Sequence, residues 1–573
     1  MRHLRFFTFL LALIALIYRT RRRWYAWLIG LPSPCAKTEV ETNLRIPIVD
    51  GVTLAADHHF PAQPGQYPTI LIRTPYGRNL RSGAFGGAFA FLARRFAERG
   101  YHVLIQDVRG RFDSEGEFDP YFNEKQDGLA TLKWLTRQPW FNGQVGTWGN
   151  SYLGIVQWVV AAHSHAVQAL VLSVTSSSFH KLLFPDGAVD LGLVLRWIAV
   201  LREQHRVKDA GLLASLPILL NAERQIRLAF EHLPLQDIDQ AAFGEKIGFF
   251  QKWLTHLQPD DPIWQEVSED IQLANINAPV HLIGGWYDMF LRGLLHDYLA
   301  LKAAGKQPYL TVGPWYHLQF NMMITDLREG IRWFDTHLKK QPNRLRQKPV
   351  RLYVMGKNEW QDFDSYPPPA QPIYYYLHDG QCLSTDLPAD DSPPISFCYD
   401  PANPTPAIGG TGFDIFAGPR DNRRLEARSD VLIYTSKPLT HDMTVIGPVR
   451  TILYVSSSCD HTDFFARLCD VQPNQQSINI CDGLFRIQPG NNALQSPSGG
   501  CCIEIDMWAT AHCFHAGHAL RLQVSSGAHP RWNRNPGTGK PPATAIQMVK
   551  AHQTVFHDAL RPSALELPVT AID

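Results

Sequence analysis

Between about residue 44 and residue 178, short apolar runs alternate with stretches of helical spacing, and this alternation restricts the chain more than any other feature. Thr69-Ile70-Leu71-Ile72, Tyr101–Val108, Val145–Trp148 and Ala169–Val174 read as strands. Phe89–Gly100, Gln126–Thr136 and Ile155–Ala162 read as the helices between them. Strands separated by helices of that length cannot pair as hairpins; they cross over, which predicts a mostly parallel sheet with helices on both faces. The pattern breaks from about Phe179 to Glu269, where Leu191–Arg202, Ala210–Leu220 and Ala222–Phe230 are helical and no strand stands out. It resumes at Val280-His281-Leu282-Ile283 and Tyr309-Leu310-Thr311-Val312. Beyond Pro349, short alternating runs such as Arg351-Leu352-Tyr353-Val354 and Val445–Val455 stand between turns rich in Pro and Gly, the texture of a β-sandwich.

The chemistry is sought where strands end. A serine hydroxyl is a poor nucleophile at neutral pH; it needs a histidine to take its proton and a carboxylate to hold that histidine. Gly149-Asn150-Ser151-Tyr152-Leu153-Gly154 joins an expected strand to an expected helix, the setting in which α/β-hydrolases present their nucleophile. The second glycine stands three residues after Ser151 rather than two, so the motif alone is only moderately specific. The strand ending at Ile283 leads to Gly284-Gly285-Trp286-Tyr287-Asp288, and the strand ending at Val312 leads to Gly313-Pro314-Trp315-Tyr316-His317. Taken singly, Asp288 reads as a helix N-cap and His317 as a surface histidine. Together they follow the order serine, acid, histidine of this fold, which makes Ser151 the expected nucleophile, His317 its base and Asp288 the residue that orients the base. The oxyanion needs two donors. The Tyr152 N–H, at the start of the helix, is the expected first donor. The second is expected in the loop after an early strand, where Tyr76 stands, with aromatic packing as the other reading of Tyr76.

These stretches carry a resemblance. Thr74-Pro75-Tyr76, Gly149–Gly154, Gly284–Asp288 and Gly313–His317 resemble the cocaine esterase and X-Pro dipeptidyl-peptidase family of serine hydrolases. So do Val354–Trp360, Asp430–Ser436, Thr462-Asp463-Phe464, Cys481-Asp482-Gly483 and Pro530–Asn535, which extend the match over roughly residues 40–570. The resemblance implies an α/β-hydrolase core, an inserted helical cap and a C-terminal jelly roll. It also implies that the Tyr76 hydroxyl donates to the oxyanion. The expected organisation is an N-terminal segment at residues 1–40, a hydrolase domain at 41–178 and 270–345, a cap at 179–269 and a β-sandwich at 346–573.

Composition narrows the reading further. Apolar residues make up 45% and charged residues 19%, and the net charge is +1, which gives no electrostatic reason to expect a nucleic-acid partner. Only one of nine cysteines, Cys35, precedes residue 382, so a thiol enzyme is excluded from the region of the motifs. The others are expected to be small fillers of a β-rich core. His58-His59 and His163-x-His165 lack metal-site spacing, and Asp107–Arg109 pairing is expected in the acidic loop that follows the second strand. No cofactor or metal is expected.

At the N-terminus, Arg2 and Arg5 precede the uncharged run Phe6–Tyr18, and Arg19, Arg21, Arg22 and Arg23 follow it. The run is short for a span and lacks a cleavage site, so a membrane anchor or interfacial helix is expected, with a hydrophobic arm packed on the protein as the alternative. The arginines after the run favour a membrane-associated or cytoplasmic chain over a secreted one. The reading is a serine hydrolase of a small ester or amide with a neutral acyl group, acting through an acyl-enzyme. An X-Pro dipeptidyl-peptidase or α-amino acid ester hydrolase is the competing enzyme; an anchored binding protein with an idle triad is the competing non-enzyme. Oligomeric state is not legible.

Overall fold

An apolar run buried on both faces needs cover from helices, and the strands here receive it. The computed structural model describes residues 20–571 apart from residues 211, 266, 268–270, 318, 342–343, 490–493 and 496–499. The chain divides into two units. The first is built from the chain up to Leu172 with Asn275–Val280 and Phe320–Arg346; the second from Ser173–Ala274, His281–Gln319 and Gln347–Asp573.

In the first unit, β1 (Thr38–Pro47), β2 (Thr53–Pro61), β3 (Thr69–Thr74), β4 (His102–Asp107), β5 (Val145–Asn150) and β6 (Val167–Ser173) lie in the order β1-β2-β4-β3-β5-β6. β3 runs parallel to both β4 and β5, and β1 and β2 form an antiparallel hairpin. Every residue of β3 and β4 is buried, as both-face cover requires. The connecting helices are α1 (Ala84–Ala97), α2 (Glu124–Leu135) and α3 (Tyr152–His163). Phe96 of α1, Tyr101, Trp148 of β5 and Phe334 of the helix Phe320–His337 form one edge-to-face cluster. That cluster ties this later helix to a strand more than 170 residues earlier.

In the second unit, α4 (Leu191–Ala210) and α5 (Leu212–Ala229) dominate the helical insertion. The runs Ala210–Leu220 and Ala222–Phe230 thus join in a single helix. β7 (Val280–Gly285), β8 (Tyr309–Gly313) and β9 (Val350–Val354) are parallel neighbours, and β10 (Glu359–Phe363) returns antiparallel to β9. The remaining strands form an antiparallel-dominated β-sandwich in which Met443–Ser457 pairs with Cys501–Phe514 and Thr462–Val471 lies between Ser477–Ile487 and Ala519–Ser525. Leu432–Ser436 alternates buried and half-buried positions, the mark of a strand with one face on a core. Backbone and side-chain bonds fasten the helical insertion to the sandwich. Val189 N–H donates to Asn533 Oδ1 (2.7 Å), Asn533 N–H donates to Val189 O (2.9 Å), and Gly192 N–H donates to Pro530 O (3.0 Å). The fold is therefore the expected one: an α/β core, an inserted helical cap and a C-terminal β-sandwich.

Three expectations need correction or limits. Only Cys469, Cys481 and Cys513 are buried; Cys35, Cys382 and Cys398 are exposed, so the thiols are not uniformly core fillers. Asp107 does not pair with Arg109. Arg109 turns instead to Asp127 (2.6 and 3.0 Å) and Asp50 (2.6 Å), and Asp107 receives Arg78. Asp107 closes a fully buried strand, where the nearest cation came from the preceding loop rather than two residues along the chain. The run Phe6–Tyr18 lies outside the described residues; among those described, no helix is long and apolar enough to cross a membrane.

Candidate active site

Ser151 stands between the last residue of β5 and the first of α3, with φ 54° and ψ −125°. Few side-chain-bearing residues adopt this conformation, and holding one there costs about 1–3 kcal/mol. The surroundings enforce it. The Ser151 carbonyl accepts from the Gly154 N–H (2.9 Å) and the Ile155 N–H (3.1 Å), so the helix starts at once. A Cβ on Gly149 would collide with Leu153, so only glycine lets strand and helix approach this closely. The turn lifts Ser151 out of the ladder while Tyr152 to Ala162 stay buried. The Tyr152 N–H belongs to the first turn of α3, where amides point outward from the helix N-terminus.

Asp288 and His317 are brought together in the second unit. Past β7 and β8 the two loops are locked by backbone bonds: Trp286 N–H to Gly313 O (2.9 Å) and Tyr287 N–H to Trp315 O (3.0 Å). Gly285 must be glycine, because a Cβ there would strike the Trp315 carbonyl. The loop is braced by Trp286 Nε1 donating to Tyr353 O of β9 (2.8 Å) and by Tyr287 Oη donating to Asn479 O of the sandwich (3.2 Å). His317 Nδ1 lies 2.7 Å from Asp288 Oδ2, and Asp288 Oδ1 accepts the Phe290 N–H at 2.8 Å. Both residues are buried, and the His317 ring stacks on Phe290. Asp288 therefore serves the start of the following helix and the histidine with separate oxygens.

Tyr76 follows β3 in the first unit and is buried against Phe85 and Phe89. Its N–H donates to Thr74 Oγ1 (3.0 Å), which folds the loop back on its own strand. Two arginines that the motifs did not flag hold this loop. Arg111 Nε donates to Pro75 O (2.9 Å) while its guanidinium lies against Phe112 and Phe118. Burial pushes its pKa down to about 10. Arg78 faces three carboxylates, with Nε 2.9 Å from Asp57 and Nη2 2.8 Å from Asp113 in addition to Asp107. One cation does not satisfy three anions, and burial pushes Asp107 up to about 7. The Tyr152 side chain is likewise engaged. Its hydroxyl donates to Glu124 (2.6 Å) and accepts the Tyr121 N–H (3.2 Å), and Glu124 pairs with Arg73 (2.8 Å).

Beside Phe290 the second unit holds a cavity of about 230 Å³, lined by apolar side chains that include Leu182, Phe184, Met289 and Trp508. Two of its charged groups pair with each other, and burial pushes the carboxyl of a third, Asp190, up to about 7. Arg292 Nη1 lies 2.6 Å from Asp186 and its Nε lies 2.9 Å from Asp506. Burial nonetheless pushes the Asp186 carboxyl above its ordinary range. Elsewhere, Asp442, Cys513 and His515 bring three mixed donors within 4.8 Å of one another in the sandwich. They share no residue with the sites above.

Comparison with known proteins places these features in context. Residues 50–319 match the model of the X-Pro dipeptidyl-peptidase S15 family, and residues 343–566 match that of the X-Pro dipeptidyl-peptidase C-terminal non-catalytic domain. The chain is 33% identical to cocaine esterase of Rhodococcus sp. (strain MB1 Bresler), over 92% of this chain and 98% of that one. It is 24% identical to a putative serine esterase of Mycobacterium bovis, over 91% and 94%. Among solved structures, an aminopeptidase from a marine sediment Thaumarchaeota archaeon superposes with a TM-score of 0.78 at 23% identity, covering 93% of this chain and 96% of that one. An α-amino acid ester hydrolase superposes with the same TM-score at 22% identity, covering 94% and 98%. Both share the fold described above.

Proposed function

Because the chain belongs to the cocaine esterase and X-Pro dipeptidyl-peptidase S15 family of serine hydrolases, we propose that it cleaves esters of neutral acyl groups through an acyl-enzyme on Ser151. The family acts on esters or peptides, and the substrate is a small molecule of that class. In this reading His317 is the base and Asp288 orients it. The observation that carries the assignment is the 2.7 Å contact of His317 Nδ1 with a buried Asp288 whose other oxygen is already held by Phe290. With Nδ1–H donated to the carboxylate, Nε2 keeps its lone pair and can accept a proton. Ser151 Oγ attacks the carbonyl carbon as its proton passes to Nε2. The oxyanion that forms is met by the Tyr152 N–H and the Tyr76 hydroxyl. Nε2 then returns the proton to the departing alkoxide, the C–O bond breaks, and an ester of Ser151 remains. Water then attacks the acyl carbon as its proton passes to the same nitrogen, the bond to Ser151 Oγ breaks, and that proton returns to Oγ as the acid leaves.

The lining of the cavity supports a neutral acyl group. A substrate ammonium needs a carboxylate to replace its lost hydration. Of the two carboxyl groups that line the cavity, Asp186 is engaged by Arg292, and burial pushes Asp190 up to about 7, toward its neutral form. An amine would have to compete with a cation that is covalently part of the site. Ser151→Ala tests the nucleophile: hydrolysis of an aryl ester and labelling by a fluorophosphonate should be lost, by about 10⁴–10⁶ in rate, with the fold retained. Near-native turnover removes the assignment. The acyl preference is tested by kcat/KM for an aryl ester against an X-Pro arylamide and an amino acid ester. If either amine substrate leads by more than about tenfold, roughly 1.4 kcal/mol in transition-state binding, the peptidase or amino-ester reading replaces this one.

A further inference from the structure

Residues 20–28 form a helical segment whose outward face is aromatic. Trp24 is 59% exposed, Tyr25 48%, Trp27 75% and Leu28 71%. Trp24, Trp27 and Leu28 are spaced i, i+3 and i+4, so they share one side of the helix. Trp24 and Trp27 meet edge to face. The opposite side is mounted on the first unit. Ala26 and Leu31 are buried, Arg328 Nε donates to Ile29 O (2.7 Å), and Arg99 Nη2 donates to Pro32 O (2.5 Å). Arg22 reaches the buried Glu98 at 3.4 Å. The aromatic face is thus held outward by a fixed platform. Scattered apolar side chains on a surface need no explanation, but four large ones within five residues do.

The charge around this face selects its partner. Residues 1–31 contain six arginines and no aspartate or glutamate. Arg23, exposed, lies one turn before Trp27 on the same side of the helix. The sequence that leads into the helix, Phe6–Tyr18, is an uncharged apolar run. Tryptophan and tyrosine favour the headgroup level of a bilayer, where a ring can bury its body and keep its N–H or O–H in a polar layer. Arginines beside them are drawn to anionic headgroups. A protein partner would need an acidic surface shaped to two tryptophans; a bilayer offers negative charge and apolar depth together. We propose that residues 20–28 dock this protein onto an anionic lipid bilayer, with Trp24, Trp27 and Leu28 at the acyl boundary and Arg23 on the phosphates.

The test uses the full chain and flotation with vesicles of phosphatidylcholine, or of equimolar phosphatidylcholine and phosphatidylglycerol. Wild type should float with the mixed vesicles, and less so as salt rises. Trp24→Ser/Trp27→Ser/Leu28→Ser should partition at least about tenfold more weakly, since the apolar contribution of three side chains is removed. Arg23→Glu should weaken binding to the mixed vesicles and leave binding to phosphatidylcholine unchanged. Both variants should keep wild-type hydrolysis of an aryl ester, which shows that they fold. Wild type that stays with neither vesicle, or a triple variant that floats like wild type, overturns the proposal. So does a wild-type oligomer that the same substitutions dissociate without any vesicle binding, because the face would then belong to a second copy of the chain.

Discussion

Lowering the pH should unfold the first unit from a histidine cluster on β2 and β4. His58, His59 and His102 are buried, and His58 Nε2 lies 2.9 Å from His102 Nδ1. An imidazole pair joined by one hydrogen bond needs one N–H and one lone pair, so it is satisfied when both rings are neutral. His58 also stacks on Trp140, and neither His58 Nδ1 nor His102 Nε2 has a hydrogen-bond partner. Glu41 stands 3.8 Å from His58, but it is largely exposed and beyond hydrogen-bond reach, so burial outweighs it. Burial pushes His58 down to about 3, and His59 and His102 down to about 4. Asp57 pulls His59 the other way and Arg94 adds to the depression. The folded pKa values lie below the unfolded value of about 6.5, so the unfolded chain binds more protons. The stability is therefore complete above about pH 6.5 and is lost as pH falls toward 4. Each independent site costs about 1.4 kcal/mol per pH unit. Between about pH 6 and about pH 4 the unfolded chain holds three protons, one on each ring, that the folded cluster lacks, which gives about 4 kcal/mol per pH unit, or about 8 kcal/mol over two units. That is the whole stability of a marginal domain. The assay is the urea midpoint of unfolding between about pH 7 and about pH 4.5, for wild type and for His58→Leu/His102→Leu. The double variant should keep about a third of the wild-type slope, carried by His59. A wild-type midpoint flat across this range, or an unchanged slope in the variant, refutes the reasoning.

Two further outcomes follow from the site. Tyr76→Phe should lower kcat by about 10²–10³ and leave KM nearly unchanged, because a hydrogen bond to the oxyanion matters most in the transition state; steady-state kinetics that show an unchanged kcat assign Tyr76 to packing alone. Arg292→Leu releases Asp186 toward the cavity, so the ratio of kcat/KM for an amino acid ester to that for a neutral aryl ester should rise by at least about tenfold. A ratio that stays constant means that Asp186 does not face the acyl group.

The sheet was legible because its strands are apolar on both faces, and strands such as β3 and β4 leave a continuous run with no competing period. The loops that carry Asp288 and His317 were legible for a related reason: each follows such a strand directly and opens on glycine. What escaped the sequence is what distant residues do to one another. Asp107 and Arg109 look like partners two residues apart, yet each finds a better-placed opposite charge on another segment. Asp186 and Arg292 are separated by 106 residues, so the neutralisation of the cavity has no local signal. No motif marks Arg78 or Arg111, and only the fold shows them buried around the loop that carries Tyr76. The cysteines misled because the sandwich strands expose half of their positions, and composition does not say which half.

The conformation of Ser151 bears on how this chain would drift. Its backbone sits where a glycine rests without penalty, so Ser151→Gly should raise the melting temperature while abolishing turnover. With Ser151 as the nucleophile proposed above, selection for robustness alone, whether in a thermostability screen or in a lineage that no longer meets the substrate, would tend to erase it first. On that proposal, a serine retained at that position would be a record of continued demand for the reaction.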